Sequence, residues 1–431
     1  MAHTVYLHVG TPKSGTTYVQ AVLAANKQRL RDEARLLYPG RNWSDQVRAT
    51  RDMIGANPHG DHDESTEGAW QRMADEIAAW DGAAVVSMEW LGSAGRRQVP
   101  QIVESLRPAQ VEVIVTARDL ARTIPAAWQE FVQNWNPWEW DEFLTAISAE
   151  NPKATPSGRV FWVQQDLGRL LAVWRDVLPV DRLHVVTVPP RGAPAGELWK
   201  RFASVLGLDP YRFDATGGGS NESLGLESTE LFLRLNRASR LNNMTWDVYR
   251  ESLKSTLAKR GLSRRRPSET AIALPERLHG WVRARAADQV EAVRSSGVDV
   301  VGDLADLEPK LESSGAEPGT ATDAAVLDAA VEGLVFLADN RAKEIQRLRA
   351  ANAQLRQQLS GQRRRPAAKK SAQKKTAQKK TAQKKTAQKK RTQGTPPQGA
   401  RQPAGGSPGG WRNRLRRLGG RAPDTQEGGR R

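Results

Sequence analysis

The first stretch whose residues could do chemistry is residues 5–20, VYLHVGTPKSGTTYVQ. An apolar run predicts a buried strand that ends at Gly10, and a helical pattern follows a loop rich in Gly, Lys, Ser and Thr. A loop between a strand and a helix start presents free backbone N–H groups, and these act with the helix dipole to favour an oxyanion. The chemistry that we expect here is the binding of a phosphate or a related group.

The loop differs from an ATP-binding loop in the position of its lysine. The ATP-binding pattern GxxxxGK[ST] puts lysine directly after the second glycine. Gly10 and Gly15 have that separation, but Thr16 stands at the lysine position and Lys13 lies inside the loop. We interpret the segment as a phosphate loop that is arranged for a different nucleotide.

The stretch TPKSGTTYVQ closely resembles the loop by which sulfotransferases hold the 5′-phosphosulfate of PAPS (3′-phosphoadenylyl sulfate). The resemblance covers roughly residues 4–300 and includes VVTVPPRGAPAGELWKRFASVLGLDP, which is similar to a late strand and helix of bacterial members. It implies an α/β fold of the P-loop type, a three-layer parallel sheet with flanking helices. It also implies PAPS as the sulfuryl donor and PAP as the product.

The resemblance assigns roles to the loop residues. Lys13 takes the contact with the bridging oxygen of the phosphosulfate, because sulfuryl transfer, like phosphoryl transfer, depends on neutralising charge on the leaving oxygen. The residues expected to bind the cofactor are Pro12, Lys13, Ser14, Gly15, Thr16, Thr17 and Tyr18. The four residues after Lys13 would supply backbone and hydroxyl donors to the 5′-phosphate. Tyr18 either lies against adenine or packs in the core.

A second feature of the family is an arginine that follows a strand and binds the 3′-phosphate. The stretch VEVIVTARDLARTIPAAWQEF matches it, with Arg118 at the end of the apolar run. An arginine fork suits a terminal phosphate, and ligands bind at the carboxyl edge of a parallel sheet. The sequence departs from the family at Ala126, where relatives carry a serine, and Arg122 or Thr123 could replace that contact.

Glu89 is the candidate general base. In VVSMEWLGS it stands at the tip of an apolar strand, with no histidine close to it. Carbohydrate-directed sulfotransferases use a glutamate in this region, and partial burial raises the pKa of such a carboxyl group. The six histidines show no metal-ligand spacing, so we expect no metal site.

The predicted function is transfer of the sulfuryl group from PAPS to a hydroxyl or amine of an unidentified small-molecule, glycan or lipid acceptor. Two alternatives stay open. One is a catalytically inactive relative that serves as a scaffold through its carboxyl-terminal segments, and the other is a P-loop nucleotide kinase. The displaced lysine and the lack of a clear aspartate after a strand for Mg²⁺ disfavour the kinase.

Apolar runs alternate with helical patterns over residues 1–300, which predicts βαβ units and a parallel sheet. The predicted strands are Val5–Val9, Ala83–Met88, Val111–Thr116 and Leu183–Val188, and the predicted helices are Thr17–Leu30, Gly68–Trp80, Leu167–Val177 and Gly196–Leu206. Residues 301–324 are acidic and rich in Gly, Ser and Thr, so they are interpreted as a linker.

A heptad pattern occupies residues 325–360. Its a and d positions are Val331, Ala338, Ile345, Asn352 and Leu359, with Leu327, Leu334, Leu348 and Leu355. An asparagine at an a position fixes the register of two-stranded coiled coils. The segment is either a self-associating coiled coil or a helix packed on the core.

The basic character of the chain belongs to its last segment. Residues 361–431 contain 22 lysine and arginine residues against two carboxylates, a net charge of +20. The other 360 residues therefore carry −3 of the total +17. Repeats of KKTAQ offer too little apolar surface for a core, which predicts a disordered tail that binds polyanions non-specifically by counterion release.

The composition and the first residues of the chain indicate the cellular location that we expect. The chain has no cysteine, and no segment approaches eighteen uninterrupted apolar residues, so no membrane span is expected. The opening MAHTVYLHVG lacks the basic and apolar regions of a secretory leader. We expect a cytoplasmic protein.

Deletion of residues 361–431 should remove most of the retention of the protein on heparin at low salt, because that segment holds the excess positive charge. The salt concentration needed for elution is the measurement, and circular dichroism checks that the truncated protein is folded. Elution of both proteins at the same salt concentration would contradict the division of charge.

Overall fold

The computed structural model describes residues 2–55, 64–216, 223–311 and 315–391. Within these ranges, six strands form one sheet in the order β2-β3-β1-β4-β5-β6, and every neighbouring pair is parallel. The strands are β1 Thr4–His8, β2 Leu36–Leu37, β3 Ala83–Ser87, β4 Gln110–Ala117, β5 Leu183–Thr187 and β6 Asp299–Val301. The α/β prediction is confirmed, and the four predicted strands correspond to β1, β3, β4 and β5.

Helices connect and cover the strands. The α-helices are α1 Thr16–Ala25, α2 Lys27–Ala34, α3 Trp43–Ile54, α4 Ala69–Ala78, α5 Gln98–Ser105, α6 Leu120–Gln133, α7 Trp140–Ser148, α8 Pro156–Gln165, α9 Leu167–Arg175, α10 Glu197–Val205, α11 Leu226–Leu241, α12 Trp246–Val248, α13 His279–Ser296 and α14 Asp323–Arg391. A π-helix occupies Tyr249–Gly261, and 3₁₀ segments include Glu89–Ser93, Leu262–Ser268 and Leu304–Leu307.

The predicted helix Thr17–Leu30 is divided into α1 and α2 at Asn26. The Asn26 side chain is buried and donates to the carbonyl oxygens of Val22 at 2.9 Å and Asp214 at 2.8 Å. Asparagine side chains compete with helical backbone bonds in this way and interrupt helices. The sequence pattern alone did not reveal this break.

The sheet lies between two helical layers. Alternate strand residues face opposite layers, so that Val5 and Leu7 join one apolar cluster while Val85 and Ile114 join another. The first cluster includes side chains of α3, α4, α5 and α9, and the second includes side chains of α1, α2 and α10. Burial on both faces explains why these strands are almost continuously apolar.

A third apolar cluster lies outside the sheet and joins α6, α7 and α11 to the π-helix and the start of α14. Trp128 is fully buried in it, and its indole lies edge-on to Trp140 with ring centroids 5.1 Å apart. Val326 and Ala329, in the first turns of α14, are buried in the same cluster. This cluster holds the π-helix against α6.

The first part of the predicted linker 301–324 contacts the sheet more closely than a free linker would. Val301 is the last residue of β6, and Leu307 is buried in the core. Asp306 accepts a hydrogen bond from Thr187 at 2.8 Å and forms an ion pair with Arg201 at 2.5 Å. The acidic composition therefore serves contacts with β5 and α10, and the boundary predicted at residue 300 falls inside the sheet.

Helix α14 leaves most of its predicted heptad positions exposed. Leu327, Leu334, Leu348 and Leu355 are each 58–66% exposed, and the contact with the third cluster uses other positions. Self-association therefore stays a prediction. One compact unit covers Met1–Gln346, and a second begins at Arg347.

Residues 361–391, which the sequence predicts to be disordered, are helical in the structure. Alanine, glutamine and lysine, which make up four of the five residues of each KKTAQ repeat, are strong helix formers. A lack of apolar residues therefore excludes a core but does not exclude a helix. The rest of the predicted tail, 392–431, lies outside the described residues. In the described part of the chain, no helix has the length and apolarity that a membrane span requires.

Gly92 allows the 3₁₀ segment that starts at Glu89 to lie directly against the end of β1. A Cβ at this position would collide with the backbone carbonyl of Val9 and would lie 3.2 Å from the Leu170 side chain. Because a backbone atom cannot move aside like a flexible side chain, the close approach requires glycine.

Gly92→Ala should lower the free energy of unfolding by about 1–3 kcal/mol, the usual cost of overpacking. The control is Gly280→Ala in α13, where no atom lies within 4 Å of the added methyl group. The control should be neutral or stabilising by up to about 1 kcal/mol, because alanine is the better helix former. Urea unfolding measures both, and equal midpoints would contradict the proposed packing.

Candidate functional site

The loop between β1 and α1 leaves the sheet where its strand order reverses. β1 lies between β3 and β4, although β2 and β3 precede β4 in the chain, and ligands of parallel sheets bind at the carboxyl ends of the strands at such points. Thr11 N–H donates to the Thr116 carbonyl at 2.9 Å, and Thr116 N–H donates to the Gly10 carbonyl at 2.6 Å. These bonds fix the first half of the loop to β4.

The second half of the loop turns through left-handed backbone conformations. Lys13 has φ 68° and Gly15 has φ 84°. Gly15 is the N-cap of α1, and a Cβ there would collide with Leu198 on α10. No side chain of the described residues caps α1, so its first backbone N–H groups are not occupied by a cap. An uncapped helix start favours an anionic ligand.

His8 supports the loop from below. It is completely buried, and its Nδ1 is 2.7 Å from Ser87 Oγ while its Nε2 is 3.1 Å from Thr116 Oγ1. Thr116 Oγ1 is in turn 2.5 Å from Ser14 Oγ and donates to the Gly10 carbonyl at 3.1 Å. His8 therefore positions the loop and is not an accessible base.

Lys13 lies beside a carboxylate that the sequence analysis did not identify. Its Nζ is 3.1 Å from Glu130 Oε2 on α6. Lys254 approaches the other Glu130 oxygen at 3.3 Å, and Lys259 approaches Oε2 at 3.4 Å. All four side chains are between 22% and 27% exposed, so three ammonium groups converge on one half-buried carboxylate.

Lys254 and Lys259 reach the same carboxylate because they lie on a π-helix. Residues five apart lie on different faces of an α-helix, whereas the i→i+5 bonds of a π-helix place them on one face. The start of this helix is held by Tyr249, whose ring stacks on Trp135 at 4.9 Å and whose hydroxyl donates to Asn236 Oδ1 at 2.6 Å. π-helical geometry is frequent at functional sites.

The charges of the cluster perturb one another. Burial alone would raise the pKa of Glu130, but the charges of Lys13, Lys259 and Lys254 outweigh it and hold that pKa well below its ordinary value. Burial lowers the pKa of Lys259, and the carboxylate of Glu130 opposes the change. Because Glu130 is ionised, the cluster has two more positive charges than negative ones when the lysines are protonated.

Glu89 lies close to Gly10 in the loop and near enough to the cluster for the charges of Lys13 and Glu130 to act on its pKa. A Cβ at Gly10 would lie 3.5 Å from the Cβ of Glu89. Gln20 Nε2 on α1 donates to Glu89 Oε2 at 2.8 Å and fixes the carboxyl group. Burial raises the pKa of Glu89, opposed in part by the Gln20 hydrogen bond and by the charge of Lys13. The carboxyl group therefore has the raised basicity of a candidate proton acceptor.

The guanidinium group of Arg118 contacts the backbone of the loop. Its Nη1 donates to the Lys13 carbonyl at 3.0 Å, and within the described ranges its buried Nε has no hydrogen-bond partner. Burial, followed by the charge of Arg122, lowers the pKa of Arg118 to about 10, and Arg191 acts in the same direction. Arg122 and Arg191 line a cavity of about 590 Å³ at this edge of the sheet.

The other predicted loop residues differ in accessibility. Ser14 and Thr16 are buried, Thr17 is exposed, and the Pro12 carbonyl accepts a hydrogen bond from Gln165 at 2.9 Å. Tyr18 is half-buried and donates to the Ala215 carbonyl at 3.3 Å. The structure brings Lys13, Glu89 and Arg118 to one edge of the sheet, whereas Tyr18 points toward the segment that follows α10.

The sequence pattern does not mark three residues of the cluster, Glu130, Lys254 and Lys259. Glu130 stands in the quoted stretch after Arg118, but nothing in its spacing marks it as buried. The two lysines lie about 120 residues further on and follow no α-helical face. Within the described ranges, no group of three or more histidine, aspartate and glutamate side chains is placed to hold a metal ion.

Comparison with known proteins found no matching family model, no matching curated protein and no matching solved structure.

The buried His8 should make stability depend on pH. Burial lowers its pKa from 6.5 to about 3, so between these values the unfolded chain binds a proton that the folded chain does not. Stability is therefore lost as pH falls from 6.5 toward 3, and from pH 7 to pH 5 the His8 contribution should be about 2 kcal/mol.

Urea unfolding of the wild type and of His8→Gln at both pH values isolates this contribution. The variant should lose about 2 kcal/mol less on acidification, whereas His3→Gln, at an exposed histidine, should behave like the wild type. An identical loss in wild type and His8→Gln would show that His8 is not held neutral.

Proposed function

We propose that the protein is a sulfotransferase that transfers the sulfuryl group of PAPS to a hydroxyl or amine. The observation that carries the proposal is that Lys13 stands just before the uncapped start of α1 and that its charge acts on the half-buried carboxyl group of Glu89. The order of the central strands, with β1 between β3 and β4, is compatible with the P-loop type of sheet. The proposal places the reaction in the cytoplasm.

The loop is suited to the phosphate part of the donor. The first N–H groups of α1 would donate to the 5′-phosphate, and the Lys13 ammonium would contact the oxygen that bridges phosphorus and sulfur. Negative charge grows on this oxygen as its bond to sulfur breaks, so a fixed ammonium stabilises the transition state more than the ground state. Lys13 therefore assists departure of PAP.

Glu130 explains how Lys13 stays in place before the donor binds. Its carboxylate holds the Lys13 ammonium at 3.1 Å, and Lys254 and Lys259 keep the carboxylate charged. When a phosphosulfate arrives, the ammonium can contact it while Glu130 keeps two other partners. The lysine is thus oriented without being neutralised.

Glu89 completes the transfer. The acceptor oxygen or nitrogen attacks sulfur, the bond between sulfur and the bridging oxygen breaks, and the acceptor proton passes to the Glu89 carboxylate. Gln20 orients that carboxylate through its 2.8 Å hydrogen bond. The raised pKa of Glu89 makes it a stronger base than an exposed glutamate.

Arg118, Arg122 and Arg191 are the candidates for the 3′-phosphate. Arg118 follows β4, Arg122 lies on α6 and Arg191 follows β5, and burial together with the charges of the last two lowers the pKa of Arg118. The buried Nε of Arg118 lacks an acceptor in the described structure. A terminal phosphate offers such an acceptor together with two negative charges. This arrangement distinguishes PAP from ATP, which has no 3′-phosphate.

PAP should therefore stabilise the protein more than ATP with Mg²⁺ does. At a PAP concentration of about 100 times Kd, we expect a rise in Tm on the order of 3–5 °C. Arg118→Gln should reduce this rise, and Arg237→Gln, at a surface arginine that pairs with Glu139, is the matched control. Equal shifts with PAP and ATP would count against PAPS as donor.

Glu89→Gln should lower kcat on the order of a hundredfold or more and leave PAP affinity within about twofold, because the amide keeps the shape but cannot accept the proton. Glu142→Gln, at an exposed glutamate, is the control. Release of labelled PAP in the presence of a metabolite extract is the assay. Normal turnover of Glu89→Gln would end its assignment as base.

A further inference from the structure

A positively charged cleft adjoins the lysine cluster and shares Lys259 with it. It encloses about 480 Å³ between residues 259–264 and residues 336–343 of α14. Four cationic side chains line it, and Asp339 is the one acidic residue in its lining. The cationic residues are Lys259, Arg260, Arg264 and Lys343.

The lining of the cleft has a net positive charge even after its internal ion pair is counted. Asp339 pairs with Lys343 at 2.7 Å. Arg264 lies over the Phe336 ring at 5.4 Å, and such stacking holds a guanidinium in place while leaving its N–H donors available. An anionic group is the ligand that this arrangement fits.

Lys259 connects the cleft to the donor site. The side chain lines the cleft, and its Nζ is 3.4 Å from Glu130, whose carboxylate also holds Lys13. Lys259 is therefore linked through Glu130 to the lysine that would assist the leaving group.

We propose that the cleft is the acceptor subsite and that it binds a carboxylate or sulfate group of an acidic acceptor. The role as acceptor subsite rests on the proposed function, whereas the binding of an anion does not. Arg264 would hold the anionic group, and the reacting hydroxyl of the same molecule would face Lys13 and Glu89.

The probe is trigalacturonate, a saccharide with three carboxylates, and its neutral counterpart is galactotriose. Isothermal titration calorimetry of the full chain should show binding of trigalacturonate and none of galactotriose at the same concentration. Saturation with PAP should change the trigalacturonate affinity by less than about threefold, because the donor occupies a different site. Complete competition by PAP would overturn the assignment of a separate cleft.

Arg264→Gln should weaken trigalacturonate binding about tenfold, the effect of losing one charge-assisted contact. Lys374→Gln removes the same charge from the exposed repeat segment and is the matched control. Arg264→Lys keeps the charge and should recover part of the affinity. Equal weakening by Arg264→Gln and Lys374→Gln would show that the saccharide binds by general attraction, and would refute the cleft.

The two proposals fail in different ways. If the protein does not bind PAP but trigalacturonate binding depends on Arg264, the donor assignment is wrong and the anion site remains. If PAP binds and Glu89→Gln has the expected kinetic effect but trigalacturonate binding does not depend on Arg264, only the subsite is refuted.

Discussion

The ionic contact between Lys13 and Glu130 is the interaction on which the site depends. A carboxylate that is mostly buried is costly unless cations and hydrogen bonds compensate for the water it loses. Lys13 arrives from the β1–α1 loop, and Lys254 and Lys259 arrive from the π-helix, so compensation requires three distant segments to meet. The same requirement fixes Lys13 within reach of the start of α1. Loss of one lysine still leaves Glu130 two partners, which makes single lysine variants suitable for testing chemistry rather than folding.

The loop itself is held by neutral hydrogen bonds. His8, Ser87, Thr116 and Ser14 form a buried chain beneath it, and both nitrogens of His8 are used. A neutral support leaves the positive potential above the loop undiminished, which suits a site for an anion. Positive charge is thus concentrated in Lys13 and in Arg118, Arg122 and Arg191, where a bound nucleotide would contact it.

The α/β class was largely predictable, because strands buried on both faces are continuously apolar. Lys13, Glu89 and Arg118 follow strands, so their common edge could be inferred. Lys254 and Lys259 could not, because only π-helical winding aligns them. The contacts of Asp306 were hidden for another reason. An acidic, Gly-rich composition predicts exposure, and the sequence does not show that Arg201 and Thr187 bind this carboxylate.

The most direct test of the account is a crystal structure of the protein soaked with PAP. We predict that the 5′-phosphate lies on the first backbone N–H groups of α1, with the Lys13 ammonium turned toward it and Glu130 still paired with Lys254 and Lys259. The 3′-phosphate should contact Arg118, Arg122 or Arg191. PAP bound away from the loop, or a Lys13 that remains on Glu130 alone while the nucleotide is present, would contradict the central claim.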